Sequence, residues 1–244
     1  MKKTFLSFIL ITVAGISGFA QSFDHSVFEK LLMENVNEKG LVNYKGFAKS
    51  DEFTEYLKKL ASAEISNFNK NEKLAFLINA YNALVIKNVI DHPGIKSPMQ
   101  VRGFFDDIEF EIFGEELTLN ELEYDYVLKI EPALTHFGLV CAAVSCPKLL
   151  RETYKAEKVY EQLESNARDF LNNKYKNRLD REEKTLYLSE IFKWFEKYFT
   201  GKYGSVLNFV KKYINENDKK FLAENEVDIE FIRYNWALNK QKEK

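Results

Sequence analysis

The sequence predicts an α+β fold, a helix-rich single domain with a small antiparallel sheet. Apolar residues recur at helical spacing along most of the chain, as Phe53, Tyr56, Leu57 and Leu60 do. Short alternating runs at 108–113 and 229–234 read as strands. Four prolines and ten glycines leave few linkers, and the sequence shows neither an internal repeat nor a low-complexity tract.

Residues 1–20 stand apart. Lys2 and Lys3 precede an almost wholly apolar run, and Gly18-Phe19-Ala20 has the small-x-small form of a cleavage signal. The segment therefore reads as a signal peptide, followed by a single domain over 21–244. The competing reading is a membrane anchor, but the run is short for a span and no second hydrophobic stretch is evident. The expectation is an exported protein, periplasmic or secreted, with no membrane span after cleavage.

Apolar residues make up 45% of the chain, with 21 Phe and 13 Tyr, enough for a full core. Without Lys2 and Lys3 the charge balance is 33 basic against 37 acidic residues, which gives no reason to expect a nucleic-acid partner. Two cysteines are too few for a disulfide scaffold, so the core must carry stability.

In chain order, 74–90 reads as a long apolar helix stopped by Asp91-His92-Pro93-Gly94. The strand at 108–113 turns at Gly114 and pairs with 116–119 as a hairpin. Asn120 then caps a helix to about residue 130, and Asn120-x-x-Glu123 has capping-box spacing. A charged amphipathic helix follows at 156–174. A second hairpin joins 177–180 to 185–188 around Arg181-Glu182-Glu183. An aromatic-rich helix at 189–199 and two more at 205–214 and 218–224 lead to the last strand at 229–234.

The chemistry-bearing residues concentrate in Thr135-His136-Phe-Gly-Leu-Val-Cys141-Ala-Ala-Val-Ser-Cys146-Pro147, which holds both cysteines and one of three histidines. Cys146 precedes Pro147, and proline favours the first position of a helix, whose dipole would acidify the thiol. Cys146 is then either a nucleophile or a buried structural cysteine. Cys141 reads as core packing, and a Cys141–Cys146 disulfide in an oxidising compartment would silence the nucleophile. His136 is either a general base for Cys146 or a satisfied histidine at a strand start. Glu123 either closes the capping box or orients His136. His25 and His92 fall in a flexible N-terminal stretch and a turn. Asn79, Tyr81 and Asn82 interrupt the apolar helix, so they either tie loops together or line a site, with Asn79 a candidate oxyanion donor.

Other chemistries have weaker support. The soft cluster falls short of a zinc set, no phosphate loop or dinucleotide fingerprint occurs, and neither cofactor nor metal is expected. Glu109-x-Glu111 shares one strand face, as exposed strands often do.

Several blocks together, in order, resemble a known family. They are Leu77-Ile-Asn79-Ala-Tyr81-Asn82-Ala, Leu117-Thr-Leu-Asn-Glu-Leu-Glu123, the His136–Pro147 block, Leu188-Ser-Glu-Ile-Phe-Lys-Trp194-Phe and Tyr234-Asn-Trp236-Ala-Leu-Asn239. The chain resembles the domain of unknown function 547 family over about 69–239. That family is in turn similar to the papain-like cysteine peptidase and transglutaminase superfamily. The resemblance implies a papain-like or transglutaminase-like fold with a Glu123, His136, Cys146 set. One departure is Asn235, where the pattern has an aspartate.

The expected function is a thiol-dependent hydrolase or transferase. It acts on an amide, peptide or isopeptide bond, with a peptide or envelope polymer as substrate. The alternative is a non-catalytic cell-envelope binding protein that uses the same cleft for a peptide or glycan.

Overall fold

The computed structural model describes residues 23–242. The leader-like segment 1–20 lies outside them.

The chain begins with α1 (Ser26–Asn35), α2 (Tyr44–Ala48) and α3 (Asp51–Ala61). Their caps are local: Asn43 accepts from the Gly46 amide and Ser50 from the Phe53 amide. His25 precedes α1, and its Nδ1 lies 2.6 Å from the Tyr56 hydroxyl. The expected flexible stretch around His25 is therefore packed, because Phe23, Tyr56 and Phe76 surround it.

The central element is α4 (Lys70–Asp91). Asn69 and Glu72 form a reciprocal capping box at its start. It ends at His92, two residues before Gly94, which takes a left-handed φ of 90°. Length and composition alone would let α4 cross a membrane, yet its residues from Leu74 to Val89 are almost all buried inside the protein. It is the core helix on which the other elements pack.

Strands β1 (Glu109–Ile112) and β2 (Glu115–Thr118) form the first hairpin. Its turn places Phe113 and Gly114 at positive φ, as a tight type I′ turn requires. The Phe113 and Gly114 amides donate to the last carbonyls of α3, at Leu60 and Ala61, which holds Phe113 in that conformation. Thr118 ends β2 and caps α5 (Leu119–Glu121), with Glu121 closing the capping box. The cap thus sits two residues before the expected Asn120, and Glu123 takes no part in it. The helix continues as a π-helix over Leu122–Val127 and as α6 (Leu128–Ile130).

A 3₁₀ turn, Leu134–Phe137, carries His136, where a strand start was expected. Residues 138–158 are irregular, so Pro147 opens no helix. After α7 (Val159–Leu171) come β3 (Arg178–Asp180) and β4 (Thr185–Ser189), then α8 (Ile191–Trp194) and α9 (Glu196–Tyr203). The expected aromatic helix is broken at Phe195. Helices α10 (Val206–Tyr213) and α11 (Glu216–Glu224) lead to β5 (Asp228–Ile232). β4 pairs antiparallel with β3 and parallel with β5, so this sheet is mixed rather than antiparallel. One cluster of buried apolar side chains runs from Phe28 to Tyr234. The fold is helix-rich α+β.

Candidate functional site

Several chain segments meet at a cleft of about 330 Å³. Tyr81 comes from α4, Glu123 from the π-helix, and His136 from the 3₁₀ turn. Cys141 and Cys146 come from the irregular stretch after it. Trp194 and Phe195 come from the α8–α9 break, and Tyr234 and Trp236 from the C-terminal segment.

The C-terminal segment arrives by backbone pairing. The Val144 and Ser145 amides donate to the Ala237 and Asn235 carbonyls, and Asn239 donates to the Ala142 carbonyl. Ser145 Oγ also accepts from the Asn235 amide at 2.8 Å. The Asn235 side chain accepts from the Ala237 amide and so serves a local turn. Ala142 takes a φ of 60°, a strained conformation for alanine, between the two cysteines.

Cys141 and Cys146 are joined as a disulfide. This is the alternative the sequence left open for Cys141, whose side chain also packs against the core, and in this form neither sulfur is a free thiol. The Tyr234 hydroxyl lies 3.1 Å from Cys146 Sγ and 3.2 Å from Cys141 Sγ. Burial raises the Tyr234 pKa, so this group stays a neutral donor. The Cys141 amide also donates to Cys146 Sγ at 3.1 Å. Cys146 is 2% exposed, and its carbonyl accepts from the Lys176 ammonium. Burial lowers the Lys176 pKa to about 8.

His136 is buried, with its ring stacked on Phe195 at 3.8 Å between centroids. Burial lowers its pKa to about 3, against a hydrogen bond with the Pro132 carbonyl that acts the other way. The ring is therefore neutral at physiological pH. Its Nε2 is buried with no hydrogen-bond partner among the described residues. Its Nδ1 lies 3.7 Å from Glu123 Oε1, too far for a direct hydrogen bond. Burial raises the Glu123 pKa to about 7, while a hydrogen bond from the Tyr81 hydroxyl lowers it. A proton on Glu123 near neutral pH is thus finely balanced. A widened helical turn is a recurrent feature of functional sites, and the one here carries Glu123.

Asn79 and Asn82 lie elsewhere. Asn79 donates to the Tyr154 carbonyl and accepts from its amide, both at 2.9 Å. Asn82 does the same with the Gly138 carbonyl and the Val140 amide, also at 2.9 Å. With both ends of each amide engaged, neither is free to serve as an oxyanion donor. They are ties between α4 and the loops. Tyr81, between them on the helix, is the member of this trio that lines the cleft.

Reading the residues one by one did not single out Tyr234, Trp236, Trp194 or Lys176. The first three lie within blocks that carry the family resemblance, which was the available signal. Lys176 sits in an ordinary charged stretch and has no such signal.

No curated protein and no solved structure matches the chain. The family whose model matches it is described as protein of unknown function, DUF547, over residues 65–171, a range that holds Tyr81, Glu123, His136, Cys141 and Cys146.

Proposed function

We propose that the cleft is the site of a thiol-dependent hydrolase or transferase acting on an amide, peptide or isopeptide bond, with the Cys141–Cys146 disulfide as its resting form. The observation that carries this reading is the convergence of Cys146, His136 and Glu123, distant in sequence, on one cleft. His136 is neutral and its Nε2 is free to take a proton, but in the oxidised form that nitrogen makes no hydrogen bond to Cys146 Sγ, so base and thiol must come together on reduction.

The chemistry begins with a dithiol reductant, which exchanges with the disulfide and leaves two thiols on the protein. His136 then takes the Cys146 proton. The thiolate adds to the substrate carbonyl, and the carbonyl electron pair moves onto oxygen. Collapse of this adduct expels the amine, which takes its proton from His136, and leaves a thioester on Cys146. Water or a second amine attacks the thioester and frees the thiol. The Tyr234 hydroxyl and the Cys141 amide, each 3.1 Å from Cys146 Sγ, are donors suited to developing negative charge at the sulfur. Glu123 would stabilise the imidazolium at close range. Its chain order with His136 and Cys146 is the basis for extending the proposal to a papain-like or transglutaminase-like ancestry. The disulfide and the leader-like 1–20 segment both suit an oxidising compartment, so export is part of the same reading.

The disulfide also favours a second reading, a non-catalytic envelope binding protein that uses the oxidised cleft for a peptide or glycan. Alkylation after mild native reduction separates the two. With no helix at Pro147, thiol activation rests on His136 together with the Tyr234 hydroxyl and Cys141 amide at Cys146 Sγ. Folded, reduced protein should label at Cys146 with iodoacetamide near pH 6, well below the ordinary thiol pKa of about 8.5. His136→Ala should slow that labelling more near pH 6 than near pH 9. A Cys146 that stays unlabelled, or labels with an ordinary thiol profile in both proteins, would leave the binding protein as the better account.

A further inference from the structure

The cleft wall has a composition that the thiol chemistry does not require. Trp236 packs against Trp194, Tyr234 and Phe105 with centroid separations of 5.9, 4.7 and 6.3 Å. Trp194 is 44% exposed, so this aromatic surface is open to a ligand. The charged residues that line the cleft are Asp106 and Glu123, and no lysine or arginine lines it among the described residues. Asp106 is exposed and has no ion-pair partner among the described residues. His136, held neutral, adds no positive charge.

Aromatic faces carry negative quadrupole potential, and an organic cation over them gains more when part of its hydration is removed. Asp106, an exposed carboxylate lining the same cleft, adds a solvent-screened Coulomb attraction. A neutral apolar group would gain the stacking but nothing from Asp106, and an anion would be repelled. We infer that the cleft recognises an organic cation, an ammonium group carried by the substrate and seated between the Trp194–Trp236 wall and Asp106. This assignment rests on the proposed acyl-transfer site for its place in catalysis, but the binding itself needs no thiol.

The test uses the oxidised protein, in which the disulfide blocks the chemistry. The two tryptophans of the chain both line the cleft, so intrinsic fluorescence reads the site directly. Choline and acetyl-lysine methylamide are titrated against their neutral counterparts, dimethylbutanol and acetyl-norleucine methylamide. At least one cation should change the emission saturably and bind roughly tenfold tighter than its neutral counterpart. The choline and lysine arms distinguish a free cation from one borne on a peptide. Asp106→Asn, an exposed position, should weaken the cation several-fold and leave the neutral probe unchanged. Equal binding by the neutral probe, no saturable response to either cation, or an unaffected Asp106→Asn protein would overturn the proposal. So would a saccharide that binds where neither cation does. Failure of Cys146 to alkylate would remove the acyl-transfer reading and leave this result standing.

Discussion

Two groups of buried polar side chains pack around α4, and the fold treats them differently. Asn79 and Asn82 have both ends of their amides bonded to loop backbone at 2.9 Å. Glu123 and His136 lie 3.7 Å apart with no direct hydrogen bond between them. Burial shifts both pKa values toward the neutral forms, and His136 Nε2 has no hydrogen-bond partner among the described residues. The first group stabilises the fold, since a paired buried amide replaces hydration that would otherwise be lost. The second group costs stability, as desolvated ionisable groups do. Such groups persist where function uses them. Substitutions should therefore act in opposite directions in the two regions.

The largest effect belongs to the ties. Asn79→Leu keeps the side-chain volume but strands the buried Tyr154 amide and carbonyl. Each stranded group costs about 1–3 kcal/mol, so the protein should lose roughly 4 kcal/mol. For a chain of this size the midpoint falls by about 2–4 °C per kcal/mol, a shift thermal denaturation resolves easily. Cys146 labelling in the folded, reduced variant should match wild type. A stable Asn79→Leu protein, or one with altered labelling, would break the division between ties and cleft.

The cleft should show the reverse, with a defined pH signature. Folded Glu123 keeps its proton up to about pH 7, whereas its ordinary value is 4.5. Between these values the folded state binds more protons than the unfolded state, so this group's contribution to stability falls as pH rises. Glu123→Gln removes that dependence. Relative to wild type it should be neutral near pH 4 and more stable above pH 7, by up to roughly 3 kcal/mol. His136 acts in the opposite sense. Its folded value of about 3 lies below the ordinary 6.5, so its contribution is lost as pH falls through that window. The same Glu123→Gln change should slow Cys146 labelling. Chemical denaturation across pH checks the first outcome and alkylation the second. A variant with unchanged stability at pH 8 would remove the burial penalty assigned to Glu123.

How much of this was legible in the sequence varied with the range of the interactions. Helical periodicity and strict alternation identified most helices and both hairpins, because side-chain burial repeats along the chain itself. Thr118-x-x-Glu121 and Asn120-x-x-Glu123 are equally good capping boxes on paper. The end of β2 at Thr118 decides between them, and that is a pairing fact. The break at Phe195 has no proline or glycine to announce it. It coincides with the stacking of Phe195 on His136, nearly sixty positions away in sequence. The parallel pairing of β5 with β4 likewise depends on distant partners. Residue type and spacing point to Cys146, His136 and Tyr81, whereas Glu123 joins them through the family resemblance, since its spacing alone reads as a capping box. The helix at Pro147 was expected but not found, and of the alternatives left open for Asn79 and Cys141 the structure has the loop tie and the disulfide. In each case tertiary hydrogen bonds or a covalent bond prevailed over local pattern.

The smallest effect tests the boundary between the two regions. Tyr81 sits between Asn79 and Asn82 on α4 but gives its hydroxyl to Glu123. If it serves the cleft, its bond should be stronger when Glu123 is charged, because a carboxylate accepts more strongly than a neutral acid. Tyr81→Phe, Glu123→Leu and the double variant form a cycle that isolates this pair, since leucine leaves the Tyr81 hydroxyl no acceptor at that position. Above pH 7, where wild-type Glu123 has largely lost its proton, the coupling should be about 1–2 kcal/mol in the native, oxidised protein. Near pH 5 the folded carboxyl is protonated, and the coupling should shrink to about half. Loss of the hydroxyl also removes an influence that lowers the Glu123 pKa, so Tyr81→Phe should move the pH-dependent loss of stability to higher pH. Denaturant midpoints at the two pH values measure both effects. A coupling that is the same at both would make Tyr81 another tie and leave Glu123 without a tuned partner.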